Sequence, residues 1–301
     1  VPAVIKVNNN SKIIKVENLT HIYSSGTPFQ VVSLDEISLE IEKGEFFAVI
    51  GSTGSGKSTL VQHFNGILTP TKGKAWVCGT DTSDKKQRRN LWRRVGLVFQ
   101  QPEQQLFEET VFDDVAFGPK NMGFDKDEVK RRVEKALGQM GLDPALVSGV
   151  TPFSLSGGTR RKVAIAGVLA MNPDVLILDE PAAGLDPQGR RQLMDLVEDF
   201  RRTEGVTVIL VTHSMEEAAL KADRMAVLDK GRLVMEGSPR EVFNRAGELR
   251  ALGLDVPAPA QLMYKLRAAG KQVRTDILTN EEAVEEITKL LSETWDVGRG
   301  T

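Results

Sequence analysis

Phe46-Phe47-Ala48-Val49-Ile50-Gly51-Ser52-Thr53-Gly54-Ser55-Gly56-Lys57-Ser58-Thr59-Leu60 decides how the chain is read: an apolar run enters a glycine-rich turn and leaves it through Lys-Ser-Thr. The order is that of a buried strand, a phosphate-binding loop and the first turn of a helix. Glycines 51, 54 and 56 carry no Cβ, so the backbone can bend tightly and turn its N–H groups onto an anion, beside the positive end of the following helix. Lys57 can reach the β- and γ-phosphates of a nucleotide, and the Ser58 hydroxyl can hold a Mg²⁺ that bridges them. By average residue usage the pattern G-x-x-x-x-G-K-[ST] arises by chance in roughly one chain of this length in a hundred, and the flanking strand and helix narrow that further.

Around this stretch, the 301 residues are 41% hydrophobic, enough to bury a full core with an appendage. No apolar run has the length a bilayer requires and no charged-then-apolar leader opens the sequence, so the expected compartment is the cytosol. A single cysteine, Cys78, excludes internal disulfides and reads as a small buried hydrophobe. With 39 Lys and Arg against 41 Asp and Glu, no overall basic field points to nucleic acid.

Residues 1 to 12 are polar and asparagine-rich, and read as a loose tail. Strand patterns follow at Ile13 to Val16 and, with period two, at Ile37, Leu39 and Ile41. Between them Tyr23 can offer its ring to an adenine base. Val95 to Phe99 forms a strand that ends in Gln100, whose amide can coordinate Mg²⁺ and orient a water. Residues 103 to 152 turn helical, with Val129, Val133, Ala136, Leu137 and Met140 on one stripe and Gly141 as the cap. The insertion ends at Leu155-Ser156-Gly157-Gly158, ahead of three cations, Arg160, Arg161 and Lys162, that oppose the helix dipole. Their cost makes sense where an anion docks on Ser156, Gly157 and Gly158.

Val175-Leu176-Ile177-Leu178 is dense enough for a strand buried on both faces of a parallel sheet, whose ligands gather at the carboxyl ends. There Asp179 would hold the Mg²⁺, mostly through water, and Glu180 would polarise the attacking water. The run 206 to 211 ends at Thr212-His213, which places His213 to donate a hydrogen bond to a γ-phosphate. Met225 to Leu228 and Leu233 to Met235 read as a hairpin.

In this order the motifs resemble the ATP-binding cassette family: a Walker A loop from Gly51 to Thr59, a Q-loop at Gln100, the signature Leu155 to Gly158, Walker B through Asp179, the catalytic Glu180, the D-loop Ala183-Gly184-Leu185-Asp186 and the switch His213. The resemblance covers about residues 13 to 240. It implies an α/β phosphate-loop cassette with a mostly parallel central sheet, an N-terminal antiparallel β subdomain, an inserted helical subdomain over about 100–172 and a small C-terminal helical extension. On the family pattern, ATP would be held by Tyr23, Gly51, Thr53, Gly54, Ser55, Gly56, Lys57, Ser58, Thr59, Ser156, Gly157, Gly158 and Asp186. Ser58, Gln100 and Asp179 would hold Mg²⁺, and Glu180, His213 and Gln100 would carry the chemistry. Two positions depart from the pattern, Thr159 for glutamine and Ala182 for threonine; neither removes a phosphate contact or metal ligand, and they bear on turnover rate.

Finer features, Tyr23 to Phe29, Thr53, Gln62-His63-Phe64-Asn65-Gly66 and Gln101 to Val111, resemble the ATPases of energy-coupling-factor importers of vitamins and metals, in particular the second of that family's two paralogues. Gln101 to Val111 resembles the segment that meets the transmembrane partner, and Leu106 with Phe107 is expected to make that contact. The resemblance divides the chain into a cassette over 13–245 and an extension over 246–301 that serves dimerisation. In that extension Val256-Pro257-Ala258-Pro259 reads as a linker. Thr279 and Glu282 form a capping box, and Ala283, Ile287, Leu290 and Leu291 form a stripe that needs a partner surface.

Two cassettes are expected to sandwich ATP head to tail, because one rigid domain cannot bring its own signature to its own phosphate loop in the family's arrangement. The implied partners are a paralogous ATPase (a second copy is the alternative), a transmembrane coupling subunit and a substrate-binding membrane subunit, on the cytoplasmic face of the membrane. Export or lipoprotein release is the competing membrane role. A nucleic-acid or chromosome cassette would need a long coiled coil between loop and signature, which is absent, or a basic face, which the composition does not favour.

Overall fold

The computed structural model describes residues 12–297. Of the polar tail over 1–12, residues 1–11 lie outside the described residues. The chain begins with β1 (Lys12–Tyr23), β2 (Val31–Glu42), β3 (Phe46–Gly51), α1 (Lys57–Phe64), β4 (Lys72–Val77), β5 (Thr80–Asp81), the single turn α2 (Lys85–Arg88) and β6 (Val95–Val98). A helical stretch follows: α3 (Val111–Met122), α4 (Lys126–Gln139), the turn α5 (Pro144–Val147) and α6 (Gly157–Leu169). Then come β7 (Val175–Asp179), α7 (Pro187–Glu204), β8 (Thr207–Val211), α8 (Met215–Lys221) and the hairpin β9 (Arg224–Asp229) and β10 (Arg232–Gly237). The last elements are α9 (Pro239–Phe243), α10 (Ala246–Ala251), α11 (Ala258–Ala268) and α12 (Asn280–Val297).

Strands β2-β1-β4-β5 pair antiparallel in one sheet, and β10-β9-β3-β8-β7-β6 form the other, parallel except for the β9–β10 hairpin. Parallel strands must be covered on both faces, which is why β3, β7 and β8 are near-continuous apolar runs rather than alternating, with Thr207 at the start of β8 and Asp179 at the end of β7 as the polar exceptions. Phe47, Val49, Ile177 and Ile209 face a core shared with β1, β2 and α1, while Phe46, Leu176, Leu178 and Leu210 face the helical layer of α3, α4, α6 and α7. The stripe Val129, Val133, Ala136, Leu137 and Met140 is buried in that layer, and Gly141 closes the helix at φ +66°.

The C-terminal segment corrects two expectations. Val256 to Pro259 is no linker: Val256 and Ala260 are buried with Phe243, Leu249 and the β3 residues Ala48 and Ile50. The α12 stripe has its partner within the chain, since Ala283, Ile287 and Leu290 pack with Met263, Val273 and Ile277, and only Leu291 stands exposed. The capping box is formed, with Glu282 N–H on the Thr279 hydroxyl at 3.1 Å and Thr279 N–H on the Glu282 carboxylate at 3.4 Å. No described helix is long and apolar enough to cross a membrane.

Candidate nucleotide site

Register sets the site. Val49 pairs with Val211, and Asp179 also pairs with Val211, so β3, β7 and β8 end on one line. The phosphate loop, Asp179-Glu180 and Thr212-His213 all leave from that line, and Gln100 leaves from β6 beside it.

The loop from Gly51 to Gly56 runs into α1 through Gly56 at φ +104°, which supplies no side-chain cap, and no acidic residue lies in the first turn. The helix's first N–H groups are therefore left for an anion. Gly56 must be glycine for space as well as for φ, because a Cβ there would meet the Ser33 carbonyl at 2.7 Å. Thr53, Gly54 and Ser58 are exposed along the loop, and the buried Ser55 hydroxyl has no hydrogen-bond partner.

Lys57 Nζ donates to the carbonyls of Gly51 and Ser52 at 2.8 and 3.0 Å. Burial holds its ammonium below the usual lysine range, opposed by the charges of Glu180 and Asp179. Burial pushes the Asp179 carboxyl up, and a hydrogen bond from the Ser58 hydroxyl pulls it back. A hydroxyl beside a carboxylate is a hard-oxygen pair suited to Mg²⁺. The described residues hold no group of three or more His, Cys, Asp or Glu fit for a metal, so such an ion would complete its shell with water and phosphate oxygens.

Glu180 is gripped from both sides. Gln100 Nε2 donates to one carboxylate oxygen at 3.2 Å, and His213 Nδ1 lies 3.2 Å from the other. Tyr23 is 40% exposed, packs edge-on against His21 and brings its hydroxyl to 3.3 Å from Thr59 Oγ1, which ties its ring to the end of the loop. Asp186 stands apart as the cap of α7, accepting from the N–H groups of Gln188 and Gly189.

The signature is elsewhere. Ser156 caps α6 by accepting from Thr159 N–H at 3.2 Å, and the Thr159 hydroxyl lies 2.9 Å from it. Gly157 and Gly158 are exposed, with open space where a Cβ would point. Among the described residues, no hydrogen bond or ion pair joins Ser156, Gly157 or Gly158 to the groups at the strand ends. Of the three cations expected to wait there, Arg161 does not: it is buried and bonded to Glu103.

Sequence reasoning missed how the β9–β10 turn braces the loop. Gly231 N–H donates to the Ser55 carbonyl at 3.0 Å, and Asp35 N–H donates to the Gly231 carbonyl at 2.8 Å. Lys230 and Gly231 both lie at positive φ, a hairpin-turn signal that marked the turn but not its target.

A match to the ABC transporter family spans residues 34–183. The energy-coupling factor transporter ATP-binding protein EcfA2 of Symbiobacterium thermophilum is 56% identical over 280 residues, 93% of this chain and 96% of its own. The EcfA2 of Clostridium tetani is 46% identical over 93% of this chain and 97% of its own. The chain belongs to this family. It is an ABC ATPase, the ATP-binding subunit that energises an energy-coupling factor importer. Among solved structures, cbiO1 from Clostridium perfringens, part of the ABC transporter complex cbiONQ, aligns with a TM-score of 0.73 at 40% identity over 84% of this chain and 99% of that one. The cassette MJ0796, in a dimeric post-hydrolysis state bound to ADP and Pi, aligns at TM-score 0.67 and 29% identity over 75% and 98%.

Proposed function

We propose that this energy-coupling factor ATPase hydrolyses Mg-ATP at two sites, each shared between its own strand ends and the α6 N-terminus of an opposing cassette. The observation that carries the reading is the split itself: a set of partnered charged groups at the strand ends, and an uncovered helix N-terminus at Gly157 and Gly158. Phosphate would exchange places with the Gly51 and Ser52 carbonyls on Lys57, and Tyr23 would stack on the base. Ser58, Asp179 and Gln100 would hold the Mg²⁺, whose charge offsets that developing on the phosphates. Glu180 polarises the attacking water, while His213 donates to the γ-phosphate and Gln100 turns from Glu180 to water and metal. Asp186, at the head of α7, faces the opposing cassette in this arrangement.

The partner we favour is a paralogous ATPase, with a transmembrane coupling subunit and a substrate-binding membrane subunit completing the importer of a vitamin or transition-metal ion. The chain would sit peripherally on the cytoplasmic face. Support for a partner contact comes from Phe107, 59% exposed and edge-on to Phe117 at 5.0 Å, on a groove of about 190 Å³ that runs to Gly167 and Met171. Leu106 lines the floor of that groove but is only 8% exposed and buried with Val111 and Val115 in the helical layer, so Phe107 offers the larger contact. Glu180→Gln is the direct test: with Mg-ATP the variant should run as a persistent cassette dimer on size exclusion and lose about 10²-fold or more in turnover. Turnover at the parent rate would remove Glu180 from the chemistry.

A further inference from the structure

Glu180 has φ +50°, a left-handed backbone that a residue with a Cβ keeps only where its surroundings over-determine it. Part of the restraint is local: Glu180 N–H donates to the Val211 carbonyl at 2.8 Å, and Ala183 N–H donates to the Glu180 carbonyl at 3.1 Å. The rest arrives from another layer. Arg161, buried on α6, donates Nη1 to the carbonyls of Pro181 and Ala183 at 3.2 and 2.5 Å. The other edge of the same guanidinium, Nε and Nη2, donates to the two oxygens of Glu103 at 2.9 and 2.8 Å. Glu103 lies in the 3₁₀ turn Pro102–Gln105, between Gln100 and the exposed Phe107.

We propose that Arg161 is a positioning residue: its planar fork carries the placement of the Pro102–Phe107 segment to the loop that holds Glu180 in its left-handed conformation. The proposal rests on the reading of Glu180 as the group that polarises water. Net stability is a weak reason for such a pair, since burying two charges costs about what their attraction returns. Geometry is a stronger one. A guanidinium presents donors on two edges of one rigid plane, so a shift of the Glu103 carboxylate tilts the donor that serves Pro181 and Ala183. A lysine at 161 keeps the charge but gathers its donors on one nitrogen, so it cannot serve both edges. The Arg161 guanidinium also holds the Glu103 carboxyl below the usual range, in keeping with a pair that stays ionised. This contact is separate from Gln100, which touches the carboxylate itself.

The test uses the assembled transporter, with ATPase measured for the parent, Arg161→Lys, Glu103→Gln, Glu180→Gln and the Arg161→Lys/Glu180→Gln double variant. Arg161→Lys should lower kcat about tenfold with KM for ATP within about twofold of the parent, and Glu103→Gln should lower kcat about threefold in the same pattern. In the Glu180→Gln background, Arg161→Lys should change the single-turnover rate by less than about twofold, because the group it positions is already gone. A general packing defect would instead raise KM or multiply through the double variant, and either result overturns the proposal. So does an Arg161→Lys kcat within about twofold of the parent. Should Arg161→Lys fail to fold, Glu103→Gln, altered at the more exposed end of the pair, decides by the same kcat and KM criteria. Glu180→Gln at the parent rate would defeat the reading of Glu180, whereas a slow Glu180→Gln beside a fully active Arg161→Lys defeats the relay alone.

Discussion

On the proposed reading the strand ends and the N-terminus of α6 both meet phosphate, yet they are built differently. At the strand ends the polar groups are engaged with one another: Lys57 with two loop carbonyls, Ser58 with Asp179, Gln100 and His213 with Glu180. A nucleotide and its metal can replace these contacts one for one. At α6 there is nothing to replace, since Gly157 and Gly158 look into open space and Ser156 is occupied with its own helix. A site that satisfies itself can be stable alone and exchange partners on binding. A helix end left open to water is free to receive another molecule, and on the proposed reading that asymmetry makes nucleotide binding and cassette association separable by mutation.

Lys57→Ala should break the first half outright. The ammonium is the one side-chain cation in the loop, so without it the loop meets the phosphate charge with N–H dipoles alone and the Mg²⁺ has no protein cation beside it there. ATP binding and turnover should fall by about a hundredfold or more, read by nucleotide titration and ATPase assay, while melting without nucleotide stays near the parent. Binding at the parent level would mean that the loop carbonyls, rather than phosphate, are the lasting partners of Lys57.

Gly158→Asp should break the second half and spare the first. The new carboxylate has room, and an acidic residue in the first turn favours the helix dipole, so folding is not penalised. An incoming phosphate would be repelled. Binding of ATP to the isolated chain should stay within about twofold of the parent, whereas ATP-driven association and turnover of the assembled pair fall about tenfold or more. Loss of binding in the isolated chain would show that α6 serves its own loop, and would erase the distinction between the halves.

The same distinction decides what the sequence could disclose. Apolar runs leading into Gly51, Gln100, Asp179 and His213 were legible because a buried parallel strand needs such a run and its carboxyl end is where ligands gather. Ser156 was legible as a cap because capping is local. Arg161 was not: its partner lies 58 positions away, and beside Arg160 and Lys162 it read as one more cation at a helix start. Val256 to Pro259 misled in the opposite sense, because its prolines suggested a free linker while the burial of Val256 depends on contacts with β3 and α10. The brace from Gly231 to Ser55 is likewise a contact between backbones, which no side-chain pattern records.

Leu106 and Phe107 give the smallest effect on the isolated chain and the sharpest separation of packing from association. They are neighbours of similar apolarity, and the sequence offered one role for both. The structure turns Leu106 inward, 8% exposed among Val111 and Val115, and turns Phe107 outward, 59% exposed against Phe117. Leu106→Ala removes buried methyl groups and should cost about 2–5 kcal/mol, seen as a lower melting temperature and a smaller unfolding free energy. Phe107→Asp changes a surface group and should cost no more than about 1.5 kcal/mol, the worth of its edge-on pair with Phe117. Its carboxylate would sit near Asp114, which accepts the N–H groups of Phe107 and Glu108 at 3.2 Å, but the exposed position leaves it solvated. ATP binding and basal ATPase of the isolated chain should therefore match the parent, while co-purification with the transmembrane subunit is lost because the aromatic pair no longer offers an apolar contact. A Phe107→Asp chain that still assembles and supports uptake would show that the groove beside Phe117 is not the membrane contact, and a chain that unfolds would show that Phe107 belongs to the helical core after all.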